Sequence, residues 1–390
     1  MAFHSKKRIL ILGASILQLP AIHQARDMGL VVGIVDYCPS AIGVPYADRY
    51  YNVSTIDEDG VLSSARDFGA DGIMTLATDM PVRALAYACE KLGLVGISCD
   101  TAIKTTDKGE MIKAFRDHGV EHPWFYLVSS LDEATLFKDV LTYPCISKPV
   151  DNAASRGVTI IQDANDLAKA VAYSLENSCK GSVVIEEYLS GSEVSVEVIV
   201  YGGIPHILAI TDKITTGDPY FVETGHSQPS SLNGTDLEKI EDLARRAVNA
   251  VGLENGPAHV EIMLTEDGPK LIEIGARIGG DCIGTHLVPY STGINMVKAT
   301  LQIALGETPD LRRRYHKAAA IRYLCAENTI IGGVHGVETA KLIPGIKDVV
   351  VLKDKGEVVR EIRNSTDRIG YVIAQAEDVE EAGNICNRAI

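Results

Sequence analysis

The sequence lacks any C-x-x-C pair. Its eight cysteines, Cys38, Cys89, Cys99, Cys145, Cys179, Cys282, Cys325 and Cys386, are scattered, which indicates neither a zinc knuckle nor a disulfide framework and suits a reducing cytoplasm. Long apolar runs are missing as well. No stretch approaches the ~18 uninterrupted apolar residues of a membrane span. The run behind the basic start is only Ile9 to Leu12 before Gly13, with no small-residue cleavage pattern, so it reads as a first strand rather than a signal peptide. Positive charge is scarce: 37 Lys and Arg against 52 Asp and Glu leave a formal charge of −15. That excludes a general nucleic-acid surface, which needs clustered Lys and Arg to neutralise phosphates. The densest basic run, Arg312-Arg313-Arg314, reads as a solvated helix end or an interface edge. The dinucleotide pattern G-x-G-x-x-G is absent from the first turn, Gly13-Ala-Ser-Ile-Leu-Gln18, so Asp36 after the second apolar run does not make an NAD site. Internal repeats and low-complexity segments are absent too.

What is present is an ordinary soluble composition, 46% apolar and 23% charged over 390 residues, enough for two or three packed modules. The first 120 or so residues alternate short apolar runs with amphipathic stretches, a βαβ rhythm that predicts a parallel sheet covered on both faces. A helix carrying Lys108 is expected from about 107 to 119. Strand runs at 145–148 and 183–187 bracket a helix near 165–175, as in a small α+β lobe. A larger antiparallel lobe follows, with strands near 193–200, 205–211, 258–264 and 270–274, and the tail from 311 onward is mixed strand and helix.

Two carboxylates stand out. Glu261 (His259-Val-Glu-Ile-Met) and Glu273 (Leu-Ile-Glu-Ile-Gly), twelve residues apart, have apolar neighbours on both sides, so they project from strands that otherwise face a core. Unpaired acids there would be costly, and a divalent cation removes the cost. Arg277 follows in a Gly-rich turn, Gly275-Ala-Arg-Ile-Gly-Gly280-Asp281, placing positive charge opposite that cation site, as a phosphate-handling centre needs. Upstream lie Lys148-Pro149, whose proline favours a strand end, and the small polar segment Asp151 to Gly157. Such a loop can present backbone N–H groups to phosphates and still close over a ligand. His259 beside the first acid also fits a simple strand residue bonded to a neighbour.

With Lys148, Ser155-Arg156-Gly157, Glu186-Glu187-Tyr188-Leu189, Glu193, Glu261, Glu273 and Arg277 in that order, the chain resembles the ATP-grasp superfamily of carboxylate–amine ligases over nearly its whole length. The resemblance implies an α/β and α+β ATP-grasp fold: a Rossmann-like pre-ATP-grasp domain (1–120), a small lid lobe (121–190), a large antiparallel lobe with the metal site (191–310) and a C-terminal mixed α/β subdomain (311–390). It implies that Lys108 and Lys148 hold ATP phosphates, that Ser155, Arg156 and Gly157 form the lid loop, and that Glu186, Glu187 and Leu189 meet adenine. Glu193, seven residues beyond Glu186, would accept the ribose hydroxyls. Glu261 and Glu273 would bind Mg2+, with Mn2+ as a substitute. Many relatives place an Asn two residues after the second acid; here that position is Gly275.

Gly-Ala-Arg followed by Gly-Gly most resembles the L-amino-acid ligases that make dipeptides, which implies that Arg277 and the Gly280 N–H stabilise the acyl-phosphate chemistry. His226, in a predicted loop 35 residues before Glu261, would contact substrate. Asp281 either lines the amino-acid pocket, selecting a polar or cationic group, or caps a helix at 282–287. The implied partners are small-molecule carboxylate and amine substrates, with no nucleic acid and no membrane, and the implied assembly is a homodimer. Two alternatives stay open: a ligase acting on a purine ribotide, with Arg83 near the Gly13 loop as a phosphate ligand, or on bicarbonate; and a non-catalytic ATP-binding regulator.

Overall fold

The computed structural model describes residues 6–152, 156–218 and 220–390. Its first sheet is parallel, in the order Arg49–Tyr51, Val31–Val35, Arg8–Leu12, Gly72–Met74. Alternate residues of Arg8–Leu12 go to opposite faces. Ile9 and Ile11 pack with Ile22 and with Leu301 of the helix Met296–Ala304, while Leu10 and Leu12 pack with Val61, Phe68 and Ala88. Both faces are covered, which is why these strands read as unbroken apolar runs.

The second sheet orders Phe125–Val128, Val183–Glu187, Cys145–Pro149 and Thr159–Ile161, all antiparallel. Val128, Cys145, Val183 and Ile185 pack against Ala134 and Val171 of the helices Leu131–Leu136 and Leu167–Glu176. The third sheet has eight antiparallel strands, in the order Gly268–Gly275, Gly256–Thr265, Ser192–Tyr201, Ile204–Thr215, Glu223–Gln228, Ala318–Leu324, Gly370–Ala376 and Ile346–Val351. Three of them come from beyond residue 311, so the sheet runs continuously from the central part of the chain into its tail.

The helix Gly234–Ala250 places Ile240, Leu243, Ala244, Ala247 and Val248 on one stripe, and they pack on Val194, Val196 and Val198. Because strand side chains alternate, the intervening Glu193, Ser195 and Glu197 are presented on the opposite face. Burying the valines therefore fixes where those acids point. Among the described residues no helix is long and apolar enough to cross a membrane.

Candidate active site

Between the second and third sheets lies a narrow slot lined by Lys108, Met111, Ile112, Phe115, Lys148, Glu186, Leu271 and Ile272. Five of these residues are apolar and three are charged. Ile146 and Glu186 are register partners, which puts Lys148 on the same face two residues along. Lys148 Nζ lies 2.6 Å from Glu186 Oε1, with both side chains 8% exposed. Glu187 meets Lys270 Nζ at 2.7 Å and ties the small lobe to the edge strand of the large sheet. Tyr188 and Leu189 form the short link into Ser192–Tyr201. Lys108 opens the helix Lys108–Asp117, whose N-cap Asp107 accepts from Gly109 and Glu110. Its ammonium reaches Asn152 O at 2.9 Å and Glu273 at 3.1 Å. Burial opposes that charge, but Glu273, together with Asp79 and Glu261, raises Lys108 above its ordinary range. Gly157 has φ 79°, and a Cβ there would meet Pro149 Cγ at 2.6 Å, so this turn requires glycine. Arg156 beside it is exposed, and Ser155 lies outside the described residues.

Glu261 and Glu273 are direct register partners on adjacent strands, with a bulge just after Glu261. Their side chains are 24% and 28% exposed. Each already meets a cation. Lys213 reaches Glu261 at 3.2 Å and Glu223 at 3.7 Å, and bonds Glu193 as well. Burial penalises the Lys213 charge, yet its three acids hold its pKa well above normal. Burial would raise Glu261, but Lys213 and His259 keep it well below the usual carboxylate range. Glu193 goes the other way: burial, with Glu261 and Glu223 nearby, raises it against the pull of Lys213. His259 bridges Glu197 (2.5 Å) and Glu261 (3.2 Å). Burial disfavours its proton, but Glu197 outweighs burial and lifts its pKa to about 9, so it is cationic at neutral pH.

An oxygen-only pair at this spacing suits a hard divalent cation such as Mg2+. Among the described residues no group of three or more His, Cys, Asp or Glu is arranged to hold a metal. Gly275 brings no side chain to the pair. A Cβ there would meet Asp79 Oδ1 at 2.9 Å, because the Asp79–Arg277 pair fills that space. Arg277 Nε and Nη2 donate to Asp79 at 2.9 and 3.3 Å. Burial opposes the guanidinium charge, and Asp79 raises its pKa above the ordinary value.

In the turn that follows, the Gly279 N–H points to Glu197 at 3.3 Å, whereas a Cβ on Gly280 would meet open space. His226 is not in a loop. It lies in the strand Glu223–Gln228, paired to Lys213 and Ile321 on either side, and is 1% exposed. Its Nε2 sits 3.2 Å from Asp281. Asp281 does not cap the following turn, whose N-cap Cys282 makes no side-chain bond. Arg368 grips both of its oxygens, at 2.7 and 2.8 Å. Although burial would raise it, that grip drives the Asp281 carboxyl far below its usual range.

Five residues at this site went unmarked by sequence motifs: Asp79, Glu197, Lys213, Lys270 and Arg368. Glu197 carries the same signal as Glu261 and Glu273, an acid between two apolar strand residues, here Val196 and Val198. The other four depend on contacts between distant segments. At the first sheet, the Gly13 turn is closed by its own side chains. Asp36 accepts from Ala14 N (2.7 Å) and Cys38 N (2.8 Å), Gln18 Oε1 accepts from Ser15 N (3.1 Å), and Gln18 Nε2 donates to Leu76 O (2.7 Å). Arg83 donates to Thr106 at 2.7 Å. The basic run near 312 is also spent locally, since Arg312 and Arg314 pair with Asp310 and Arg313 bonds Leu208 O.

Residues 141–285 match an ATP-grasp domain, and residues 322–390 match L-amino acid ligase C-terminal domain 2. Alanine–anticapsin ligase of Bacillus subtilis (strain 168) is 32% identical over 278 residues, covering 64% of this chain and 57% of that protein. The chain thus spans a little over half the length of that relative. Phosphoribosylamine–glycine ligase of Methanothermobacter thermautotrophicus is 29% identical over 336 residues, 78% of this chain and 75% of that protein. Among solved structures, an L-amino acid ligase from Bacillus licheniformis superposes with a TM-score of 0.85 at 24% identity, covering 99% of this chain and 97% of that one, a likeness of fold.

Proposed function

The chain belongs to the ATP-grasp superfamily of carboxylate–amine ligases, and from that premise we propose that it is a cytoplasmic, Mg-ATP-dependent, ADP-forming ligase that joins amino acids through an acyl phosphate. The observation that carries this reading is the facing pair Glu261 and Glu273, with Lys213 and Lys108 on it and Arg277 close by in sequence. The slot beside Glu186 takes adenine, and Glu193 takes the ribose. Lys108 and Lys148 turn from their acids to the phosphates. Glu261 and Glu273 would hold Mg2+, and that ion, when bound, would neutralise phosphate charge. A substrate carboxylate oxygen attacks the γ-phosphorus and the β–γ bond breaks. Arg277 and the Gly280 N–H stabilise the charge on the acyl group as an amine adds, phosphate leaves and the amine sheds its proton. No side chain acts as a covalent nucleophile.

The ribotide alternative draws on the likeness to phosphoribosylamine–glycine ligase. It is opposed by the Gly13 turn, whose Ala14 and Ser15 N–H groups are taken by Asp36 and Gln18, and by the engagement of Arg83 with Thr106. A matrix assay of ADP and phosphate release tests the reading: MgATP with pairs of L-amino acids, with ribotides, or with bicarbonate. Release stimulated by amino-acid pairs supports it, and release with only a ribotide or bicarbonate replaces it. The expected homodimer is checked by light scattering.

A further inference from the structure

Asp281 and Cys282 are consecutive non-glycine residues at φ 52° and 61°. Left-handed backbone is costly for such residues and persists only where the surroundings over-determine it. The turn directly follows Gly280 and lies four to five residues beyond Arg277. What holds it comes from far along the chain. Arg368 Nη2 and Nη1 donate to Asp281 Oδ1 and Oδ2 at 2.7 and 2.8 Å, across 87 residues. Arg368 is itself fixed: its Nε donates to Ser365 O at 2.9 Å, and its guanidinium lies 3.7 Å from the Tyr323 ring centroid. The Tyr323 hydroxyl in turn donates to Asp281 O at 3.3 Å. A planar fork packed on an aromatic face gives geometric control that a point charge cannot.

We propose that Arg368 is a positioning residue for ligation, clamping Asp281 so that the Gly280 turn keeps the placement the acyl group requires. This rests on the assignment of Arg277 and Gly280 to the acyl phosphate. The pairing also offsets the Asp281 charge with that of Arg368, so Asp281 does not select a cationic substrate. The test uses the full chain with MgATP and the twenty L-amino acids, comparing wild type, Arg368→Ala, Arg368→Lys and Arg277→Ala. Arg368→Ala is expected to lose about 10²-fold in kcat, the order expected from a small misplacement, with KM for ATP unchanged. Millimolar guanidinium, well below denaturing levels, restores much of the loss by refilling the site against Tyr323. Arg368→Lys keeps the charge without the fork, so it folds but stays slow. Amide hydrogen exchange over residues 279–283 speeds up in Arg368→Ala and slows again with guanidinium, a readout that needs no turnover. Wild-type kcat in either folded Arg368 variant, unchanged exchange, or a loss that guanidinium does not reverse overturns the clamp. If Arg277→Ala lowers kcat while the Arg368 variants do not, only the clamp fails; if Arg277→Ala also leaves kcat unchanged, the acyl-phosphate assignment itself fails.

Discussion

The Gly13 turn and the cleft around Lys148 both place a strand end beside small residues, yet they dispose of their polar groups in opposite ways. At the Gly13 turn the N–H groups are satisfied within the first domain by Asp36 and Gln18. A phosphate arriving there would have to displace a carboxylate and an amide from bonds already made. In the cleft the charges meet across elements far apart in sequence: Lys108 with Glu273 across 165 residues, Lys213 with Glu261 across 48. Such pairs are exchangeable, because a ligand that brings both anionic phosphate and a metal cation offers a new partner to each member. A self-satisfied turn is scaffold, whereas the lysine–carboxylate pairs of the cleft are, on the proposed function, the ones that exchange with a ligand of mixed charge.

The largest effect is expected at the proposed metal acids. Glu273→Gln is expected to fold normally and to lose on the order of 10²-fold or more in ADP formation; a folded variant with near wild-type turnover would leave Glu273 a purely structural partner of Lys108. Next comes Arg277→Ala, expected to cost about 3 kcal/mol of transition-state stabilisation, read as a fall in kcat with ATP affinity retained. Collapse of ATP affinity with kcat intact would move Arg277 to the triphosphate. Lys213→Met leaves Glu193, Glu223 and Glu261 crowded without their shared ammonium. It should therefore destabilise the fold by about 3 kcal/mol, seen as a lower midpoint in chemical denaturation, and an unchanged midpoint would show that the acids relax freely into solvent. The smallest effect is expected at the self-satisfied turn: Asp36→Asn should cost about 1 kcal/mol of stability and leave turnover intact. Loss of ATP binding in Asp36→Asn would relocate nucleotide recognition to the first domain.

The strand and helix order was legible because each sheet has a consistent pattern, with continuous apolar runs where both faces are covered and alternation where one is. The paired acids were legible for the same reason, since Val260, Ile262, Ile272 and Ile274 mark Glu261 and Glu273 as exceptions on core strands. Lys213 and Arg368 were not. Lys213 follows Asp212 in an unremarkable polar stretch, and its importance arises only when three strands bring Glu193, Glu223 and Glu261 around it. Arg368 sits in the tail, whose strands join the large sheet through pairings that no local pattern records. No local pattern around Asp281 reveals its partner Arg368, which lies 87 residues away. His226 read as a loop residue because Glu223-Thr-Gly-His-Ser-Gln-Pro229 is rich in turn formers, while pairing on both sides makes it a buried strand.

The central claim, that a carboxylate is activated by phosphoryl transfer in the Lys148–Glu273 cleft, is tested most directly by oxygen transfer. With MgATP and L-amino acids carrying 18O in their carboxylates, the nucleotide product is predicted to be ADP, and the released phosphate is predicted to carry one 18O from the substrate. AMP with pyrophosphate, or phosphate free of the label during ADP-forming ligation, would contradict it.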